Sequence, residues 1–138
     1  MVKLCKDSGG NETGGILVGH YTSNRNCAIV KAIGAQPSDS IASHSSFYRG
    51  VKGVARWLST LWEHAQRNYY LGEWHFHPFS SSEPSPVDIS QMIAIANDNS
   101  YHCPEPLLII AGGDPSKRLE LTGLVLKRSG ESINLTRV

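Results

Sequence analysis

Residues 69–89 read Tyr69-Tyr70-Leu71-Gly72-Glu73-Trp74-His75-Phe76-His77-Pro78, then the serine-rich Phe79-Ser80-Ser81-Ser82-Glu83-Pro84, then Ser85-Pro86-Val87-Asp88-Ile89. This stretch decides the fold. Tyr69 to Phe76 is aromatic and extended in character, as a strand is. Residues 78–86 have the composition of a loop. Residues 86–97 read as a helix, with Ser85 at the N-cap and Pro86 at the first helical position, where its missing N–H costs nothing. A strand, a short loop and a returning helix are the start of a layered α/β unit.

Working outward, Leu107 to Ala111 is a continuous apolar strand closed by Gly112-Gly113-Asp114, Leu119 to Leu126 is a second, and residues 131–137 form a last one. Upstream, residues 48–67 carry Val51, Val54, Ala55, Leu58, Leu61, Trp62 and Ala65 at spacings of three and four, which predicts a helix capped by Ser45 or Ser46. Residues 35–46 are serine-rich and loop-like. Ile16-Leu17-Val18, bounded by glycines, and Cys27-Ala28-Ile29-Val30 predict a hairpin of two strands. Residues 1–14 are polar and glycine-rich, with no element assigned. The expectation is one α/β layered domain over residues 1–138, a mixed β-sheet flanked by helices.

The bulk numbers restrict the function classes. A chain of 138 residues with 40% hydrophobic and 18% charged residues can bury one core. A formal net charge of +1 gives no electrostatic case for nucleic acid or a membrane surface. No run has the apolar length of a spanning helix or a signal peptide. Cys5, Cys27 and Cys103 are odd in number, widely spaced and without a CxxC, which predicts unpaired thiols in a reducing cytoplasm.

The chemistry sits in His75-Phe76-His77. Side chains alternate on a strand, so His75 and His77 share a face, with Cα atoms roughly 6.5–7 Å apart. Two imidazoles at that separation can converge on one zinc ion. Trp74 and Phe76 then point into the core on the other face. Asp88, eleven residues after His77 on the first turn of the returning helix, is the candidate third ligand. Two histidines and one carboxylate leave a fourth position for water, the pattern of a catalytic rather than a structural site. A base is then required to move the water's proton. Ser85, three residues before Asp88, could donate to a developing oxyanion or simply cap the helix.

His75-x-His77-x7-Ser85-x2-Asp88, preceded by a glutamate beside a glycine-rich strand (Glu12-Thr13-Gly14-Gly15-Ile16-Leu17-Val18-Gly19), resembles the JAMM signature of the JAB/MPN zinc metalloproteases, and the likeness spans residues 11–126. The resemblance implies an MPN/JAB-like, cytidine-deaminase-like fold. It implies one Zn2+ with a bound water on His75, His77 and Asp88, Glu12 as general base and then acid, and Ser85 steadying the tetrahedral intermediate. It implies cleavage of an amide or isopeptide bond after the C-terminal tail of ubiquitin or a ubiquitin-like protein, by deconjugation or precursor processing. Tyr70 to Pro78 is similar to small bacterial members, often encoded beside E1- and E2-like proteins in antiviral defence operons, which would make such proteins partners. Two other readings stand beside this one: a non-catalytic scaffold of the same fold, though scaffolds typically lose the ligands kept here, and a metallopeptidase trimming the tail of a sulfur-carrier protein.

Glu73 is a rival to Glu12, because strand parity puts it on the face of His75 and His77; the family pattern favours Glu12 as base and leaves Glu73 to orient a ligand or pack at the edge. His44, His64 and His102 have no partner at ligand spacing, and His64 falls on the helical surface. His102-Cys103 is set aside as a second metal site, since adjacent residues point apart. His20, at the end of the first strand, is left unassigned near the site. The loop from Phe79 to Pro84 is either a substrate-facing flap or a stiff connector. Only eleven residues precede Glu12, fewer than the strand and helix usual in the family, so the sheet edge and part of the substrate groove are left open.

Overall fold

The computed structural model describes residues 1–63 and 67–136. Its elements, in chain order, are α1 (Val2–Asp7), β1 (Thr13–Tyr21), β2 (Ala28–Ile33), β3 (Ile41–Ala42), β4 (Phe47–Tyr48), α2 (Val54–Trp62), β5 (Tyr69–Pro78), α3 (Pro86–Asn97), a 3-10 turn (Asn99–Tyr101), β6 (Leu107–Asp114), β7 (Arg118–Leu126) and β8 (Ser132–Asn134). Six strands form one sheet in the order β2-β1-β5-β6-β7-β8, and β3 with β4 forms a separate ribbon. β5 and β6 run parallel, joined through α3, and every other pairing in the sheet is antiparallel. The sheet is mixed, as expected. Among the described residues no helix is long and apolar enough to cross a membrane.

Apolar side chains cover both faces. Ile16, Val18, Met92, Ile95, Leu108, Ile110 and Leu124 pack with Trp57 and Leu58 of α2 on one side. Leu17, Leu71, Trp74, Phe76, Leu107 and Ala111 pack with Leu4 and Cys5 of α1 on the other. Burial on both faces is why β6 opens as a continuous apolar run, while β5 interrupts its apolar residues with Glu73, His75 and His77.

Several boundaries differ from the expectations. Residues 2–7 are helical, although six residues with one buried position carry too little periodicity to announce it. The helix expected over 48–67 starts only at Val54: Phe47 and Tyr48 belong to β4, and Gly53, at φ 81°, turns the chain into the helix without any side-chain cap from Ser45 or Ser46. His64 lies outside the described residues. β1 runs through its flanking glycines. At Gly14 a Cβ would strike the Trp74 carbonyl oxygen and the rings of Phe47 and His75, so glycine there permits close strand approach rather than a turn.

β5 carries one irregularity that matters for the site. Leu17 pairs with Gly72 and Val18 with Tyr70, so Leu71 is an extra residue, a β-bulge. The bulge flips the alternation: Leu71 joins Trp74 and Phe76 on the α1 face, and Tyr70 joins Glu73 on the other. Gly72 sits where a Cβ would overlap the Leu107 backbone, which is why the bulge takes a glycine.

Candidate active site

Three elements meet at the C-terminal end of β5. Strand parity puts Glu73, His75 and His77 on the α3 face. The parallel crossover returns the first turn of α3 to the same place. The β1 register sets Thr13 opposite Phe76, so one step further Glu12 falls beside His77.

Asp88 is the meeting point. His75 Nδ1 lies 2.5 Å from Asp88 Oδ1, and His77 Nε2 lies 3.3 Å from Asp88 Oδ2. Oδ2 also accepts from the Ser85 backbone N–H at 2.7 Å and from the Ser85 hydroxyl at 2.6 Å. The Ser85 Oγ in turn accepts from the Asp88 N–H at 3.2 Å, closing a reciprocal capping box with aspartate in the third position. The sequence thus starts α3 and aims Asp88 with the same four atoms.

Burial and charge reinforce one another. His75 is 2% exposed and Asp88 5% exposed. Burial disfavours both charged forms. For Asp88, hydrogen bonds from His75, His77 and Ser85 outweigh it and hold the carboxyl far below the usual range. For His75, burial is outweighed by Asp88 and Glu73, which push the imidazole up to about 9. His77 is raised chiefly by its hydrogen bond to Asp88, against a smaller desolvation effect. Glu12 is raised, first by burial, with repulsion from Asp88 adding and attraction to His77 and His75 opposing. A carboxyl shifted upward beside two histidines is suited to proton transfer.

A groove of about 530 Å³ opens over these residues, lined among others by Glu12, His44, His77, Ser85 and Asp88. One wall is the β3–β4 ribbon, with Ile41 and Tyr48 exposed upon it, and Val87 is exposed on the α3 side. Phe47 meets the His75 ring edge-on, with centroids 5.5 Å apart.

The donor chemistry suits zinc: two imidazoles and a carboxylate. Two ligands of one tetrahedral zinc stand about 3.3 Å apart, which the His77–Asp88 pair matches at 3.3 Å. The His75–Asp88 pair, at 2.5 Å, is drawn together as a hydrogen bond. Accordingly, no cluster of three His, Cys, Asp or Glu stands ready-made at coordination spacing among the described residues. The set fits a zinc ion in its donor types, two imidazole nitrogens and a carboxylate.

The other candidates are placed differently. His20 lies at the far end of β1, near Asn68 and seven strand positions from Thr13, more than roughly 20 Å from the site; it is not part of it. Glu73 is in the middle of the sheet, not at an edge, and is 3% exposed. His102 adopts φ 50° after the 3-10 turn, away from the site. Cys5 and Cys103 are buried, and burial pushes both thiols up to about 11, so they stay protonated at neutral pH. Two contributors were missed. Arg49 was placed inside the expected helix, and its partner Glu73 gives no local sequence sign of it. His44 reaches the groove through the ribbon, its Nδ1 3.1 Å from the Gly10 carbonyl oxygen.

A mixed sheet with this cluster at a strand end and a returning helix defines a class of layered α/β domains with a buried His–Asp centre. The chain matches the prokaryotic homologs of the JAB domain over residues 1–122 and belongs to that family. It is 42% identical over all 138 residues, covering 76% of the relative, to a protein of Enterobacter hormaechei subsp. hoffmannii named CD-NTase/cGAS isopeptidase. In fold it is similar to a solution structure of a Desulfitobacterium hafniense protein, with a TM-score of 0.66 at 16% identity, covering 98% of this chain and 82% of that one.

Proposed function

We propose that the chain is a zinc-dependent isopeptidase that cleaves the amide bond after the C-terminal tail of ubiquitin or a ubiquitin-like protein. The observation that carries this reading is the convergence of His75 and His77 on Asp88 with Glu12 beside them in an open groove. His75, His77 and Asp88 would hold the ion, which when bound supplies a polarised water and Lewis acidity at neutral pH.

The chain's own groups do the rest. An extended tail lies along the groove against the β3–β4 ribbon, whose short strands offer backbone groups for β-addition and whose Ile41 and Tyr48 offer apolar contact. Glu12 takes the proton of the attacking water and delivers it to the leaving amine. The Ser85 hydroxyl, released from Asp88, donates to the oxygen that becomes negative. The 42% identical relative's name, CD-NTase/cGAS isopeptidase, supports isopeptide hydrolysis with a CD-NTase of the cGAS kind in the conjugate; the place in antiviral defence beside E1- and E2-like proteins is our extension of that reading.

The test is metal content and cleavage together. The purified chain is expected to carry about one zinc per molecule, and Glu12→Gln to retain zinc and fold while losing cleavage of a ubiquitin-like conjugate. A chain without zinc affinity, or a Glu12→Gln variant of full activity, would overturn the reading.

A further inference from the structure

Glu73 is a carboxylate in the interior of the central strand, 3% exposed, where an unpaired charge is strongly unfavourable. Its two oxygens are treated unequally. Oε1 accepts from Arg49 Nε at 2.7 Å and from the Tyr70 hydroxyl at 3.2 Å. Oε2 faces the His75 ring, 3.6 Å from Nε2. That Nε2 is the buried side-chain polar atom left without a hydrogen-bond partner among the described residues. A partnerless imidazole nitrogen therefore faces a carboxylate oxygen in the core.

The carboxylate is held firmly. Arg49, its side chain 8% exposed, also donates to the Gly50 carbonyl oxygen and to the Tyr101 hydroxyl. Tyr70 reaches Glu73 only because the Leu71 bulge turns it to this face. Groups from β5, the segment after β4 and the 3-10 turn thus fix one carboxylate. A buried ion pair for stability alone would not require Oε2 to be turned toward an imidazole, since a well-packed apolar group serves as well.

We infer that Glu73 is a positioning residue for His75: its Oε2 accepts the Nε2 proton of the imidazole and thereby turns a proton-free Nδ1 toward Asp88 and His77 as the nitrogen offered to the metal. A carboxylate or carbonyl behind a ligating histidine fixes its tautomer and ring angle in this way. The ring stands between Asp88 at 2.5 Å and Glu73 at 3.6 Å. Backing away from Asp88 toward ligand spacing brings Nε2 into hydrogen-bond range of Glu73. The inference rests on the zinc reading above.

Glu73→Gln tests it sharply. Arg49 holds the amide oxygen, so the amide NH2 faces Nε2 and favours the opposite tautomer. Zinc affinity, measured by competition with a chromogenic chelator, is expected to fall ten- to a hundredfold, with the circular dichroism spectrum unchanged. Independently of any variant, nitrogen-15 histidine spectra of the zinc-loaded wild-type chain are expected to show His75 protonated at Nε2 and metallated at Nδ1. Metallation at Nε2, or wild-type zinc affinity in a folded Glu73→Gln chain, overturns the inference and leaves the zinc reading intact. A chain that binds no zinc at all sinks the zinc reading and this inference with it. Should Glu73→Gln fail to fold, the wild-type spectrum decides alone.

Discussion

Ser85 is asked to do two things with one hydroxyl, and substitution can separate them. Ser85→Ala removes the acceptor for the Asp88 N–H and the 2.6 Å donor to Asp88 Oδ2, while the 2.7 Å bond from the Ser85 backbone N–H survives. Loss of an N-cap of this kind costs about 1 kcal/mol, equivalent to roughly 3–5 °C in Tm for a chain of this size. Loss of an oxyanion donor costs about 10²–10³ in kcat. Glycine at an N-cap costs only a few tenths of a kcal/mol yet also lacks the hydroxyl. Both variants lose the bond to Asp88 Oδ2, so Ser85→Gly is expected to have a Tm above that of Ser85→Ala while losing as much kcat, with KM little changed in both. Thermal unfolding followed by circular dichroism gives the first quantity. Steady-state release of a fluorogenic amide from the C-terminal tail of a ubiquitin-like protein gives the second. If Ser85→Gly cleaves within a few-fold of the wild-type kcat, the hydroxyl is a cap and a brace for Asp88, and the oxyanion role is removed.

Two further outcomes follow from the geometry. In the metal-free chain His75 is raised to about 9, above its ordinary value near 6.5, so its contribution to stability is complete below about 6.5 and is lost as pH rises through 9; Asp88 is lowered, so its contribution is present above its ordinary value and lost as pH falls through the folded one. Urea midpoints of the metal-free chain should decline across pH 6.5 to 9, and added zinc should stabilise most at the alkaline end, where the ligands are deprotonated; a flat metal-free profile would mean that His75 and Asp88 do not form a charged pair. Gly14→Ala forces a Cβ to within 2.7 Å of the Phe47 ring and 2.9 Å of His75 Cδ2; it should cost about 2–3 kcal/mol or more and weaken zinc binding, and wild-type values of both would show that β1 can give way there.

The sequence made the end of β5 and the start of α3 legible because each rests on a local rule. Period-two alternation set His75 and His77 on one face. The Ser85-Pro86-x-Asp88 start located α3, and its expected bounds of 86–97 agree with Pro86–Asn97. The β3–β4 ribbon was not legible: two strands of two residues each hold no measurable periodicity. Val51 matched the helical spacing upstream of Gly53 and drew the predicted helix start too early. Arg49 was invisible for another reason. Its worth comes from Glu73, 24 positions away in the chain, and nothing local marks such a pair. His20 could not be assigned from the sequence, because one strand end resembles the other until the register is known.

The bulge at Leu71 shows how far the parity argument reaches. Counting forward from Glu73, alternation is faithful through His75 and His77. Counting backward, it assigns Leu71 to the site face and Tyr70 to the core, and both are reversed. The reversal is what delivers a tyrosine hydroxyl to the Glu73 carboxylate, so the irregularity and the buried polar network belong together. Removing the extra residue, by deletion of Leu71, would restore regular pairing and leave Tyr70 two positions before Glu73 and on its face, while emptying the place Leu71 fills beside Trp74 and Phe76. A sequence that carries the histidines and aspartate, but not the Gly72 needed beside Leu107, would lack this support behind His75 even with every ligand in place.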